Sequence, residues 1–256
     1  MMRLCTQELT LKAGEKKLVT NLNLDLKPGE VWGILGQNGS GKSSLLKALA
    51  GLITPAFGSI WLNEVNLPGL SRKVIAQHIG LLFQESHFSF PQTVFEYCLA
   101  ARYPHSSYLD KNNWQDKRIV LRALKKMALD TYQYHRIDTL SGGEKKRLAI
   151  ASLLAQTPSI YLLDEPTNHL DLKHQIHCLH LMRELAITQS ACIVMALHDV
   201  NLAQRFCDHL LLLFPDGTTK QGTRDDMLTT AHLSALYQCE IMTHPPKTPF
   251  WQAVLL

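Results

Sequence analysis

No apolar run in this 256-residue sequence approaches the length of a membrane span, which needs about 20 residues. The run at 210–214 is typical, and residues 1–11 hold no continuous apolar segment that would read as a leader. Cysteine is sparse: Cys5, Cys98, Cys178, Cys192, Cys207 and Cys239 lie far apart without a CxxC pair. That argues against a disulfide framework or a zinc ribbon and for a reducing, cytoplasmic compartment. A dominant charge of one sign is missing too. The net charge is +4 and the basic residues are spread along the chain, so nucleic acid is not an expected partner. Internal repeats and low-complexity segments are absent, and residues 1–31 contain no Phe, Tyr or Trp. What is present is a 46% hydrophobic content, enough for one large core or a core with a smaller inserted lobe.

Short apolar runs at 31–35, 79–83, 160–163, 192–197 and 210–214 read as buried parallel strands, because they do not alternate and helical patterns separate most of them. The fold expected is α/β, with its site at the carboxyl ends of the strands. Between 84 and 156 only helical patterns occur, so a helical lobe over 84–156 is expected to interrupt a core formed by 1–83 and 157–256. Thr93-Val94-Phe95-Glu96 and Ser141-Gly142-Gly143-Glu144 both fit a capping box and place helix starts there. The stretch at 244–249, with three prolines, reads as an extended tail.

Gly36-Gln37-Asn38-Gly39-Ser40-Gly41-Lys42-Ser43 matches G-x-x-x-x-G-K-[ST] directly after the first apolar run, and Ser44 opens the helical pattern behind it. In such a P-loop the glycines let backbone N–H groups turn inward around phosphates, and the helix N-terminus adds its positive end. Lys42 is expected at the β- and γ-phosphates and Ser43 at Mg²⁺. The run ending in Asp164-Glu165 delivers two carboxylates. Asp164 suits the hard cation, and Glu165, pointing elsewhere, suits polarising the attacking water.

Leu140-Ser141-Gly142-Gly143-Glu144 resembles the signature motif of ABC ATPases, and Gln84, Leu170-Asp171 and His198 follow the same family's order around it. The resemblance covers nearly the whole chain. It implies a P-loop NTPase of the ABC type that takes ATP and Mg²⁺, with an inserted helical subdomain. It also implies a head-to-tail dimer of two copies, in which Leu140 to Glu144 of one chain act on the ATP held by Gly36 to Ser44 of the other. By the same resemblance Gln84 approaches Mg²⁺, His198 contacts the γ-phosphate, and Asp171 touches the second copy. Asp171 also reads as a helix cap. Many ABC ATPases stack an aromatic on the adenine. Here that position falls near Ala13, so aliphatic groups such as Leu18 or Val19 would have to serve.

Softer similarities, at 95–105, 196–203, 207–209, 211–214, 227–228 and 236–237, point to the importers of iron chelates, haem and cobalamin. They imply a polytopic permease partner, an external substrate-binding protein and a peripheral position on the cytoplasmic face of the membrane. Phe83, Phe88, Phe90 and Tyr103 are candidates for the groove that meets the permease. The alternatives are an ABC transporter for a different solute and an ABC-type ATPase that moves no solute, though neither the long coiled coils nor the second ATPase core of the latter is present. A small-molecule kinase would leave Leu140 to Glu144 and His198 without a role. On a helix over 172–185, His174, His177 and Cys178 share a face while His180 turns away, a pattern weighed as zinc ligands or as an ordinary polar face with a partly buried cysteine.

Overall fold

The computed structural model describes residues 2–85, 91–106 and 114–241. Phe88, Phe90 and the stretch at 244–249 lie outside them. The chain opens with β1 (Leu4–Ala13), β2 (Lys16–Leu22), β3 (Asp25–Leu26) and β4 (Val31–Gly36), then α1 (Lys42–Leu49), β5 (Phe57–Leu62), β6 (Val65–Asn66), α2 (Arg72–His78) and β7 (Ile79–Leu82). Helices α3 (Val94–Ala100), α4 (Trp114–Lys126) and α5 (Gly142–Gln156) follow. The chain then runs through β8 (Ile160–Asp164), α6 (Leu172–Gln189), β9 (Cys192–Ala196), α7 (Val200–Phe206), β10 (His209–Leu213), β11 (Thr219–Thr223), α8 (Arg224–Met227) and α9 (Thr230–Tyr237).

Each of the five apolar runs became a strand of one six-stranded sheet, in the order β11-β10-β4-β9-β8-β7. All pairings are parallel except that of β11 with β10. The runs are continuous because both faces are covered. Along β8, Ile160 and Leu162 join one core while Tyr161 and Leu163 join the other, and Ile193 and Met195 of β9 oppose Cys192, Val194 and Ala196 in the same way. One core lies under α3 to α9. The other lies under α1 and a second sheet.

That second sheet was not expected. It pairs β2-β1-β5-β6 antiparallel, with β3 added to β1. In β1, Leu4 and Thr6 are buried, and so are Leu9 and Leu11, so the buried set switches from even to odd positions. The switch occurs at Glu8, whose φ of 50° makes a bulge. Opposite it, Gly58 at φ 80° presses against the Gln7–Glu8 backbone where a Cβ has no room. A period-2 signal interrupted in mid-strand does not read as one strand.

Both capping boxes formed. Thr93 accepts from Glu96 N while Glu96 bonds back to Thr93 N, and Ser141 and Glu144 do the same at the head of α5. The far end of α5 is closed by Arg102. Its Nη1 donates to Ala155 O at 2.9 Å and Thr157 Oγ1 at 2.8 Å, and its Nε to Asp116 Oδ1 of α4 at 2.7 Å. Arginine and aspartate are both buried, so one side chain satisfies orphaned helix carbonyls and locks α4 to α5.

Candidate active site

The loop from Gly36 to Ser43 joins β4 to α1 at the carboxyl edge of the parallel sheet. Gly41 has φ 104°, and a Cβ there would meet Leu18 Cβ at 2.8 Å, so β2 packs directly beneath the loop. Lys42 is buried, and its ammonium donates inward to Gly36 O at 2.8 Å and Gln37 O at 3.1 Å. Burial lowers its pKa, and the charges of Glu165 and Asp164 oppose that. Two braces of the loop were not foreseen: Lys16 Nζ donates to Gly39 O at 3.1 Å, and Gln37 Nε2 to Leu236 O of α9 at 3.0 Å.

At the end of β8 the chain turns through Glu165, whose φ of 48° sends its carboxylate away from that of Asp164. Asp164 lies beside the Ser43 side chain, and its Oδ1 is buried with no hydrogen-bond partner among the described residues. Burial raises its pKa. Glu165, also buried, is held from three sides: Gln84 Nε2 donates to Oε2 at 2.9 Å, Asn168 Nδ2 bonds the same oxygen, and His198 Nε2 meets Oε1. Asn168 was missed by the sequence reading. Its only signal was its place three residues past the carboxylate, behind Pro166.

One cavity of about 600 Å³ is lined by Asn38, Gly39, Gly41, Lys42, Ser43 and Ser44 of the loop and helix head, by Gln84, Glu165, Asn168 and His198, and by Ala13 and Leu18. Leu18, not Val19, faces it; Val19 is wholly buried in the core beneath the second sheet. Leu140 to Glu144 are not among the described residues of the lining. Ser141 and Gly142 are instead exposed at the head of α5. The Ser43 hydroxyl, the unpartnered Asp164 oxygen and the amide oxygen of Gln84 form a donor set of hard oxygens that fits Mg²⁺.

The structure does not gather the histidine cluster. His174 Nδ1 and backbone N both bond Asp171, which caps α6. His177 Nε2 bonds Lys126 O at 2.7 Å, Cys178 is fully buried, and His180 packs edge-on against Phe206. The ordinary polar face is the better description. Phe83 and Tyr103 are 43% and 75% exposed, so neither belongs to a core.

The sequence profile of ABC transporters matches residues 19–168, more than half of the chain. The chain belongs to the ABC transporter family. This ABC protein is 36% identical over 245 residues to the ferric enterobactin transport ATP-binding protein FepC of Escherichia coli, covering 95% of this chain and 90% of FepC. It is also 36% identical to the hemin import ATP-binding protein HmuV of Pseudomonas entomophila, with 93% of each chain covered. Among solved structures, the dimeric bacterial ABC transporter cassette MJ0796 aligns at 29% identity with a TM-score of 0.77, covering 86% of this chain and 98% of that one. The post-hydrolysis state of the same cassette, bound to ADP and Pi, aligns with a TM-score of 0.76. This ABC protein is an ATPase that binds ATP.

Proposed function

We propose that this ABC protein is the ATP-hydrolysing subunit of an importer that takes up a metal chelate: a ferric siderophore, haem or cobalamin. It works as a head-to-tail pair of copies beneath a polytopic permease, on the cytoplasmic face of the membrane, with a substrate-binding protein delivering cargo from outside. One observation carries the mechanism: the phosphate loop, Gln84 and the Glu165–His198 pair share a cavity, whereas Ser141 and Gly142 lie exposed on another helix head. A site divided in this way is completed by a second copy.

Within the site, Lys42 and the loop N–H groups hold the phosphates. Ser43, Asp164 and Gln84 would hold Mg²⁺, which would neutralise the charge that builds on the phosphate oxygens. Glu165 takes the proton as the water oxygen attacks the γ-phosphorus and the bond to the bridging oxygen breaks, releasing ADP and phosphate. His198 fixes the carboxylate for that step. The exposed Phe83 and Tyr103, on the lobe at 84–156 and its margin, support a permease-facing role.

Ferric siderophore and haem rest on the names of FepC and HmuV, and cobalamin on the softer sequence similarities to that importer branch. Among the described residues no helix is long and apolar enough to cross a membrane, in keeping with a peripheral subunit. Deleting the gene should abolish uptake of one of the three chelates, with restoration by the native chain but not by Glu165→Gln. Recovery of the tagged chain with ribosomes or DNA, and normal chelate uptake without it, would overturn the proposal.

A further inference from the structure

Helix α5 carries Ser141 and Gly142 exposed at its head and, just over one turn further on, a lysine withdrawn from water. Lys146 is only 6% exposed. Its Nζ donates to the backbone oxygen of Gln84 at 3.3 Å, and the side chain of the same Gln84 donates to Glu165 at 2.9 Å. Glu165 in turn meets His198. A contiguous run of polar contacts therefore leads from the helix that bears the signature to the carboxylate beside the phosphate loop. Burying an ammonium costs several kcal/mol, and a methionine would fill the same space without that cost. Retaining the charge is favourable where a directed bond to Gln84 is needed. Burial lowers the Lys146 pKa, while Cys178, Asp164 and Glu165 act to raise it, so the ammonium also lies within electrostatic reach of both acidic groups.

We infer that Lys146 is a positioning residue: it ties the orientation of the Ser141 helix head, which meets the second copy's ATP, to the placement of this chain's own Glu165 through Gln84. The inference rests on the head-to-tail pairing proposed above. Each copy then senses its neighbour's nucleotide at the head of α5 and adjusts its own hydrolytic group about one turn further along the same helix. Because α5 is a continuous helix, a small rotation at its head moves Lys146 with it, and the Gln84 backbone follows.

The test is ATP hydrolysis by the full chain across ATP concentrations. Lys146→Met should lower kcat about tenfold while ATP affinity, measured in a Glu165→Gln background, stays within about twofold. Lys146→Arg, which keeps a cationic donor, should recover most of the loss. In a cycle with Gln84→Ala, the double variant should be no slower than the slower single, because both interrupt one path. Unchanged kcat in Lys146→Met, or losses that multiply in the cycle, would sink the inference. If Lys146→Met fails to fold, Lys146→Gln replaces it in the same cycle and is read by the same outcomes. Failure of the pairing is read separately: Glu165→Gln that stays monomeric on size exclusion with ATP removes the dimer, while the kcat cycle still decides the Lys146–Gln84 link.

Discussion

At the scale of single residues, the arrangement separates holding phosphate from breaking it. Lys42 sits inside the loop, bonded to Gly36 O and Gln37 O, whereas Glu165 stands across the cavity, fixed by Gln84, Asn168 and His198. Lys42→Ala removes a charged donor, worth about 1.5–3 kcal/mol, so titration calorimetry should find ATP bound roughly 10–100-fold more weakly. Glu165→Gln keeps the amide and histidine contacts but cannot accept the proton. ATP affinity should persist while kcat falls about 10²–10⁴-fold, and near-normal turnover would take Glu165 out of that role. On the base side, Ala13 and Leu18 offer neither a ring nor a hydrogen-bonding group from their side chains. ATP and GTP should therefore bind with comparable affinity in a competition assay, and a strong preference for ATP would contradict the reading.

At the scale of elements, α5 is the member that most depends on others. Its exit is closed by Arg102, which is paired with buried Asp116 of α4. Arg102→Met leaves that carboxylate unpaired in the core and should cost about 3–5 kcal/mol in urea denaturation. Adding Asp116→Leu should restore much of the loss. The elements also differ in how plainly the sequence announces them. The parallel strands were legible because burial on both faces makes each an unbroken apolar run, and α3 and α5 because their capping boxes are local. The antiparallel sheet was not, since the bulge at Glu8 reverses which side of β1 is buried. Lys42, Asp164 and Glu165 stood out as motif residues. Asn168 and Lys146 did not, because an amide or a lysine has no local signature and its importance lies in what the fold brings to it.

At the scale of the whole molecule, two cores meet across one parallel sheet, and the ATP cavity opens along that sheet's carboxyl edge. Ser141 and Gly142, proposed to complete the site of a second copy, are exposed at the head of α5. The Glu165→Gln chain should accordingly elute as a monomer alone and as a dimer with ATP, returning to monomer when Ser141→Arg blocks the helix head. Persistence of the ATP-dependent dimer in that double variant would contradict the head-to-tail arrangement. The packing of Leu18 beneath Gly41 has a wider consequence. Within one chain, the groups expected to touch the base it holds come from the antiparallel sheet, and the groups expected to touch the phosphates it holds come from the loops of the parallel strands. Fuel preference can thus drift over evolutionary time at Ala13, at the margin of the molecule, without disturbing the engine. Position 18 is denied that freedom, because any bulkier graft there would push against the phosphate loop itself.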